Sequence, residues 1–238
     1  MGERWYTTVV ITRRDLIVAG ATSGLILGVG GAPVQAAPAA PGEPTILDEA
    51  TFRAHIATGP SVRHRQMIGA ARNNDGAALQ FAVNTLNGFA NGWHEPAGSV
   101  QVVVVLFGSS CTLGLDDTAW KAHHLGDIVR SVKSDFLSVD AAQGNPWSHA
   151  STTLAPTADK SVPALLQRGV KIFVCNTALG EISTRIVAAG YAAGAADAFA
   201  VQKGLQMHVL PGCEIVPAGI SAVSVLQESG YTFFTAAL

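Results

Sequence analysis

The chain has 238 residues, 48% hydrophobic and only 13% charged, with a formal net charge of -2 and a mean hydropathy of +0.30. That composition excludes a disordered polyelectrolyte, since soluble domains average about 25% charged residues and disordered chains carry more, and the balanced charge lacks the basic excess of nucleic-acid binders. Ala (38) and Gly (25) dominate the apolar share while aromatics reach only 7%, so elements are expected to pack closely through small side chains.

The N-terminus has the layout of an export signal. Arg13 and Arg14 precede a run from Leu16 to Gly42 with no charged residue, and Val34-Gln35-Ala36 before Ala37 forms a small-residue cleavage site. An arginine pair before a weakly apolar stretch points to the twin-arginine route. Residues 1–36 are therefore expected to be a signal peptide, with the mature protein periplasmic or otherwise exported. Gly20, Gly24, Gly28, Gly30, Gly31 and Pro33 dilute the apolar run, which argues against a spanning helix and against stable membrane insertion after cleavage. Residues 37–61, opening on an Ala/Pro-rich stretch, read as a flexible lead-in, and 62–238 as one domain.

Within that domain, Leu79, Ala82, Val83, Leu86 and Phe89 recur at helical spacing over 76–90. VQVVVVLF at 100–107 is continuously apolar and β-branched, the pattern of a strand buried on both faces of a parallel sheet. A helix is expected from Thr118 to Phe136, with Leu125, Ile128, Val129, Val132 and Phe136 on one stripe. Residues 138–163, rich in Ser, Thr, Ala and Pro, interrupt the pattern as an insertion of the kind that forms lids, binding loops or oligomer contacts. A short helix at 164–168 then leads into a second strand, VKIFV at 170–174, ending at Cys175. Ala-rich helices between 177 and 210, a strand at 214–218, a helix at 221–228 and a strand at 231–234 complete the chain. Alternation of this kind predicts a single α/β domain of three layers with a mostly parallel sheet of four to five strands.

Three segments together, VVVVLFGSS at 102–110, RGVKIFVCNTAL at 168–179 and EIVPAGISAVSVLQESGYTFF at 214–234, resemble the DsrE/DsrF-like family of small α/β proteins linked to sulfur oxidation and sulfur relay. The resemblance covers about residues 100–235. It implies a flavodoxin-like or related layered fold, a homo-oligomer, a sulfur-donor or acceptor protein as partner, and a persulfide carried on a strand-end cysteine, a place that Cys175 matches. Relay members act in the cytoplasm, whereas this chain reads as exported.

From the residues alone, Cys175 ends a buried strand and is followed by Asn176 and Thr177, both able to cap a helix. Ligands of open α/β sheets bind at the carboxyl ends of strands, where helix N-termini favour anions such as a thiolate. The alternative is a buried thiol that packs as a small hydrophobe. Cys111, four residues beyond the strand at 100–107, should lie at the same edge and is its candidate partner, whereas Cys213 should lie at the opposite edge. Ser109, Ser110, Asn176, Trp120 and His124 are candidate binding residues, the last two sharing a helical face at a spacing of four. Asp116 and Asp117 read as helix caps. No metal-ligand spacing, Walker motif, GxGxxG after a strand or GxSxG elbow occurs, so no metal or cofactor is expected. Two functions follow: a sulfur carrier using Cys175, or a non-catalytic binding or assembly module of the same fold. A third, a cofactor protein using the histidines near Trp120, rests on the export route alone.

Overall fold

The computed structural model describes residues 44–236 except 142, so the expected signal peptide and the first part of the lead-in lie outside the described residues. Five strands form one all-parallel sheet: β1 (His64–Ala70), β2 (Val100–Leu106), β3 (Lys171–Cys175), β4 (Cys213–Val216) and β5 (Thr232–Thr235), in the order β4-β3-β2-β1-β5. The helices are α1 (Glu49–Ile56), α2 (Ala77–Asn87), α3 (Asp117–Ala122), α4 (Leu125–Ser131), α5 (Val162–Gln167), α6 (Asn176–Ala188), α7 (Ala198–Met207) and α8 (Gly219–Glu228). This is the three-layer, flavodoxin-like α/β class. In the flavodoxin order the edge strand beside β1 is second in the chain; here it is last.

The layers follow from strand alternation. Ile68, Val102, Val104, Leu106, Ile172 and Val174 face a core shared with α2 to α7, whereas Met67, Val103, Val105 and Phe173 face a smaller one shared with α1 and α8. Right-handed crossovers explain the unequal division. From β1 to β4 each connection steps the same way and lays its helix on one face; the step back from β4 to β5 lays α8 on the other.

Four expectations are corrected. The segment 37–61 is not lead-in throughout: Asp48 caps α1 by accepting the Thr51 N–H at 2.7 Å, and Phe52 and Ile56, one turn apart, bury against Phe173 and the second core. Strand β1 was not anticipated, because His64, Arg65 and Gln66 break its apolar pattern and only Met67 to Ala70 are fully buried. The helix expected over 118–136 is two helices, since His124 takes a left-handed backbone (φ 49°) and stacks on Tyr191 at 4.4 Å while the His123 ring bonds the Tyr191 carbonyl. Trp120 and His124 therefore do not share one helical face.

Among the described residues from 132 to 161 there is no regular element, and the expected insertion, whose last two residues open α5, is pinned across the carboxyl edge of β1 and β2. The Asp135 carboxylate accepts the Asn73 and Asn74 N–H groups at 3.1 and 2.9 Å and the Ser109 hydroxyl. Asn145 donates to the Leu113 and Leu115 carbonyls, and Asp117 accepts the Asn145 N–H (2.9 Å), the Ser148 hydroxyl (2.7 Å) and the His149 ring (2.8 Å). Trp147 fills the space beside Gly76, whose left-handed φ of 71° excludes most side chains and where a Cβ would stand 2.7 Å from the indole.

Burial pushes the Asp117 and Asp159 carboxyls up, but the hydrogen bonds they accept, from His149, Ser148 and Asn145 and from Ser161 and Ser151 respectively, outweigh it and hold both below the ordinary 3.8. A lowered folded-state value stabilises the strap fully above about pH 4 and ceases to do so as pH falls through that lower value. Pepsin cleavage within 138–161, taken relative to cleavage of an unfolded substrate at each pH, is expected to rise as pH falls below about 4, and in Asp117→Asn to be raised already above that pH; a relative rate independent of both would contradict this.

Candidate functional site

In an open parallel sheet the ligand crevice opens where neighbouring strands send their following helices to opposite faces. Here that point lies between β3, followed by α6 on one face, and β4, followed by α8 on the other. Cys175 is the last residue of β3, in register with Val216 of β4, and it is also the N-cap of α6.

Its sulfur is held by both helices. Cys175 Sγ accepts the Ala178 N–H of α6 at 3.3 Å and the Gly219 N–H of α8 at 3.0 Å. Helix N-termini carry partial positive charge and unsatisfied N–H donors, so two of them aimed at one atom suit an electron-rich sulfur. The local sequence explains the approach. Gly219 has no side chain, and a Cβ there would stand 2.8 Å from Phe107, so glycine lets the start of α8 close over the strand ends. Thr177 locks the two strand ends together, its N–H and hydroxyl donating to the Pro217 carbonyl at 3.2 and 3.1 Å. Cys175 is buried, with 4% of its surface exposed.

The other sequence candidates fall into place around it or away from it. Asn176 begins α6, but its side-chain oxygen accepts from Gln202 and Gln206 at 3.0 and 2.6 Å, fastening α6 to α7. Ser110 donates to the Ala70 and Phe107 carbonyls and Ser109 to Asp135, so both hydroxyls hold strand ends. Trp120 is buried and donates to the Thr112 carbonyl at 2.8 Å, while His124 is exposed; the two line a surface pocket with Asp127 and Arg130 that does not include Cys175.

Cys111 is fully buried in the 3₁₀ turn Gly108–Gly114, and no disulfide joins any of the three cysteines. Burial pushes its thiol well above the ordinary 9.0, with charge on Cys175 and on Glu181 acting in the same direction, so Cys111 is a neutral thiol. Cys213 opens β4 at the opposite edge, and burial, with help from Glu214, pushes its thiol up to about 12. Asp116 caps α3 through the Ala119 N–H and bonds the His208 ring at 3.0 Å. Among the described residues no three His, Cys, Asp or Glu side chains converge on a metal position, and no helix is long and apolar enough to cross a membrane.

The sequence reading missed the Gly219 N–H and the Thr177–Pro217 tie. Their signal was the run VPAG directly after a strand and before a helix, where only a glycine admits so close an approach. No family model matches the chain, and no curated protein matches it.

Replacing Gly219 by Ala is expected to push the first turn of α8 off Phe107 and to lower stability by about 1–3 kcal/mol, as overpacking of a tight contact does. Urea unfolding together with amide exchange in 219–222 measures this; an unchanged midpoint would show that the turn yields without cost.

Proposed function

We propose that the protein is an exported, DsrE-like carrier of sulfane sulfur, with Cys175 as the sulfur-bearing residue. The observation that supports this reading most is the pair of N–H donors, from the N-termini of α6 and α8, converging on Cys175 Sγ at the switch point of the sheet. In the forward step the Cys175 thiolate attacks the outer sulfur of a donor such as thiosulfate. Its S–S bond breaks, sulfite leaves with the bonding pair, and a Cys175 persulfide anion remains. In the return step an acceptor thiolate attacks the outer sulfur, restoring the Cys175 thiolate and carrying the sulfur away. The same two N–H groups hold Sγ in place before the first step and after the second. Cys111, neutral and wholly buried, backs the site without attacking. A sulfur-donor or acceptor protein and export by the twin-arginine route belong to the same reading.

The 4% exposure of Cys175 favours a second reading, a binding or assembly module of the same fold in which the thiol only packs. Intact mass spectrometry separates the two. Incubation with thiosulfate or inorganic polysulfide is expected to add about 32 Da, one sulfur atom, to the wild type and nothing to Cys175→Ser, as a thiolate-dependent transfer requires. A wild type that gains no sulfur, or gains it equally without Cys175, would leave the packing module in its place.

A further inference from the structure

The sheet has two edges, and the chain treats them differently. Along β4 it supplies its own cover: Ile46 bridges Ile215 and the Leu47 N–H donates to the Ile215 carbonyl at 2.8 Å. Along β5 the one strand neighbour among the described residues is β1. Soluble proteins guard such edges with Lys, Pro, a bulge or a covering segment, yet β5 reads TFFT, is regular and is exposed along its length. Phe234 meets Phe81 edge-on at 5.3 Å on one face and Phe233 lies over Gly69 on the other, but they remain 45% and 47% exposed. Phe234 also lines a groove of about 480 Å³ whose far rim is Trp93, 71% exposed.

We propose that this edge is where a second copy of the chain docks, the two β5 strands pairing antiparallel about a two-fold axis perpendicular to the sheet. Such an axis maps each face of the sheet onto itself. Side chains on one face therefore meet their own counterparts, and the two Phe234 rings flank the seam beside the aromatic groove, an isologous contact that closes on itself. Charge permits the pairing. β5 carries none, and Arg65, with Arg63 and His64 beyond it, stands at the amino end of the strands, where these residues line one pocket with Gly230 and Thr232. Antiparallel docking carries the two basic groups to opposite ends of the seam. Area supports it as well: at about 200 Å² for a Phe and about 250 Å² for a Trp, the exposures of Phe233, Phe234 and Trp93 leave roughly 350 Å² of aromatic surface per copy. A standard interface takes about 800 Å² from each partner, and the strand seam with the walls of the groove adds to the aromatic share. A foreign strand would need apolar side chains on both faces in the same alternation, which β5 itself already offers. This inference does not depend on the chemistry of Cys175.

Sedimentation velocity on the full chain from about 1 to 100 µM tests it. The wild type is expected to sediment with the mass of two chains, and Phe234→Lys to raise the dissociation constant at least about tenfold, a change of about 1.4 kcal/mol. Phe199→Lys, on α7, equally apolar and more exposed at 67%, is expected to leave the dimer intact. Because Phe234→Lys also removes the contact with Phe81, amide exchange over 231–236 in the wild type provides a second reading, with protection rising with protein concentration. A wild type that stays monomeric at the upper concentration, or a dimer that survives Phe234→Lys without concentration-dependent protection of β5, would overturn the proposal.

Discussion

The reversal of winding after β4 is the constraint on which the rest of the molecule depends. Three consecutive crossovers carry the chain from β1 to β4 in one direction and stack α2 to α7 on one face. The fourth must return beneath the sheet, across four strand spacings of about 4.8 Å each, to set β5 beside β1. That return step puts α6 and α8 on opposite faces with their N-termini pointing at the same strand ends. It brings both N-termini onto Cys175 Sγ, and it leaves the last strand as an edge. The candidate site and the proposed docking surface are thus two consequences of one topological choice.

A second constraint works at the same carboxyl edge. Elsewhere along it, over β1 and β2, the backbone N–H groups that could receive an outside ligand are already spent: Asn73 and Asn74 donate to Asp135. Asp117 and Asn145 secure the middle of the same segment, and Trp147 closes over Gly76. The strap therefore occupies the half of the edge over β1 and β2 with the protein's own carboxylates and leaves the ends of β3 and β4 to the N-termini of α6 and α8. The contrast sharpens the role of Cys175, because there the convergent donors face a sulfur atom in place of a structural carboxylate.

How much was legible in the sequence depended on how far local pattern and tertiary environment agreed. The run VQVVVVLF announced a strand buried on both faces, and VKIFV followed by Cys-Asn-Thr announced a strand end passing into a helix; both stand in the structure within a residue or two. Strand β1 was illegible because half of it is polar, its place being fixed by pairing with β2 and β5 on either side. The break at His123 and His124 was hidden because apolar residues recur on both sides of it, whereas the contacts of both rings with Tyr191, nearly seventy residues away, lie outside any local window. For the site, Cys175 could be singled out from its strand-end position. Its second donor, Gly219, was legible only as the glycine that follows a strand in VPAG, since the contact itself depends on the return of α8, a property of topology that no local window contains.

The central claim is that Cys175 differs from the other two cysteines because two helix N-termini donate to its sulfur at the switch point of the sheet. Peptide-resolved labelling with iodoacetamide under native conditions, timed against the rate of global unfolding, tests it most directly. Cys175 is expected to be carboxamidomethylated faster than the protein unfolds, while Cys111, fully buried and held neutral by that burial, waits for unfolding. Labelling of Cys175 together with Cys111, at the unfolding rate, would contradict this.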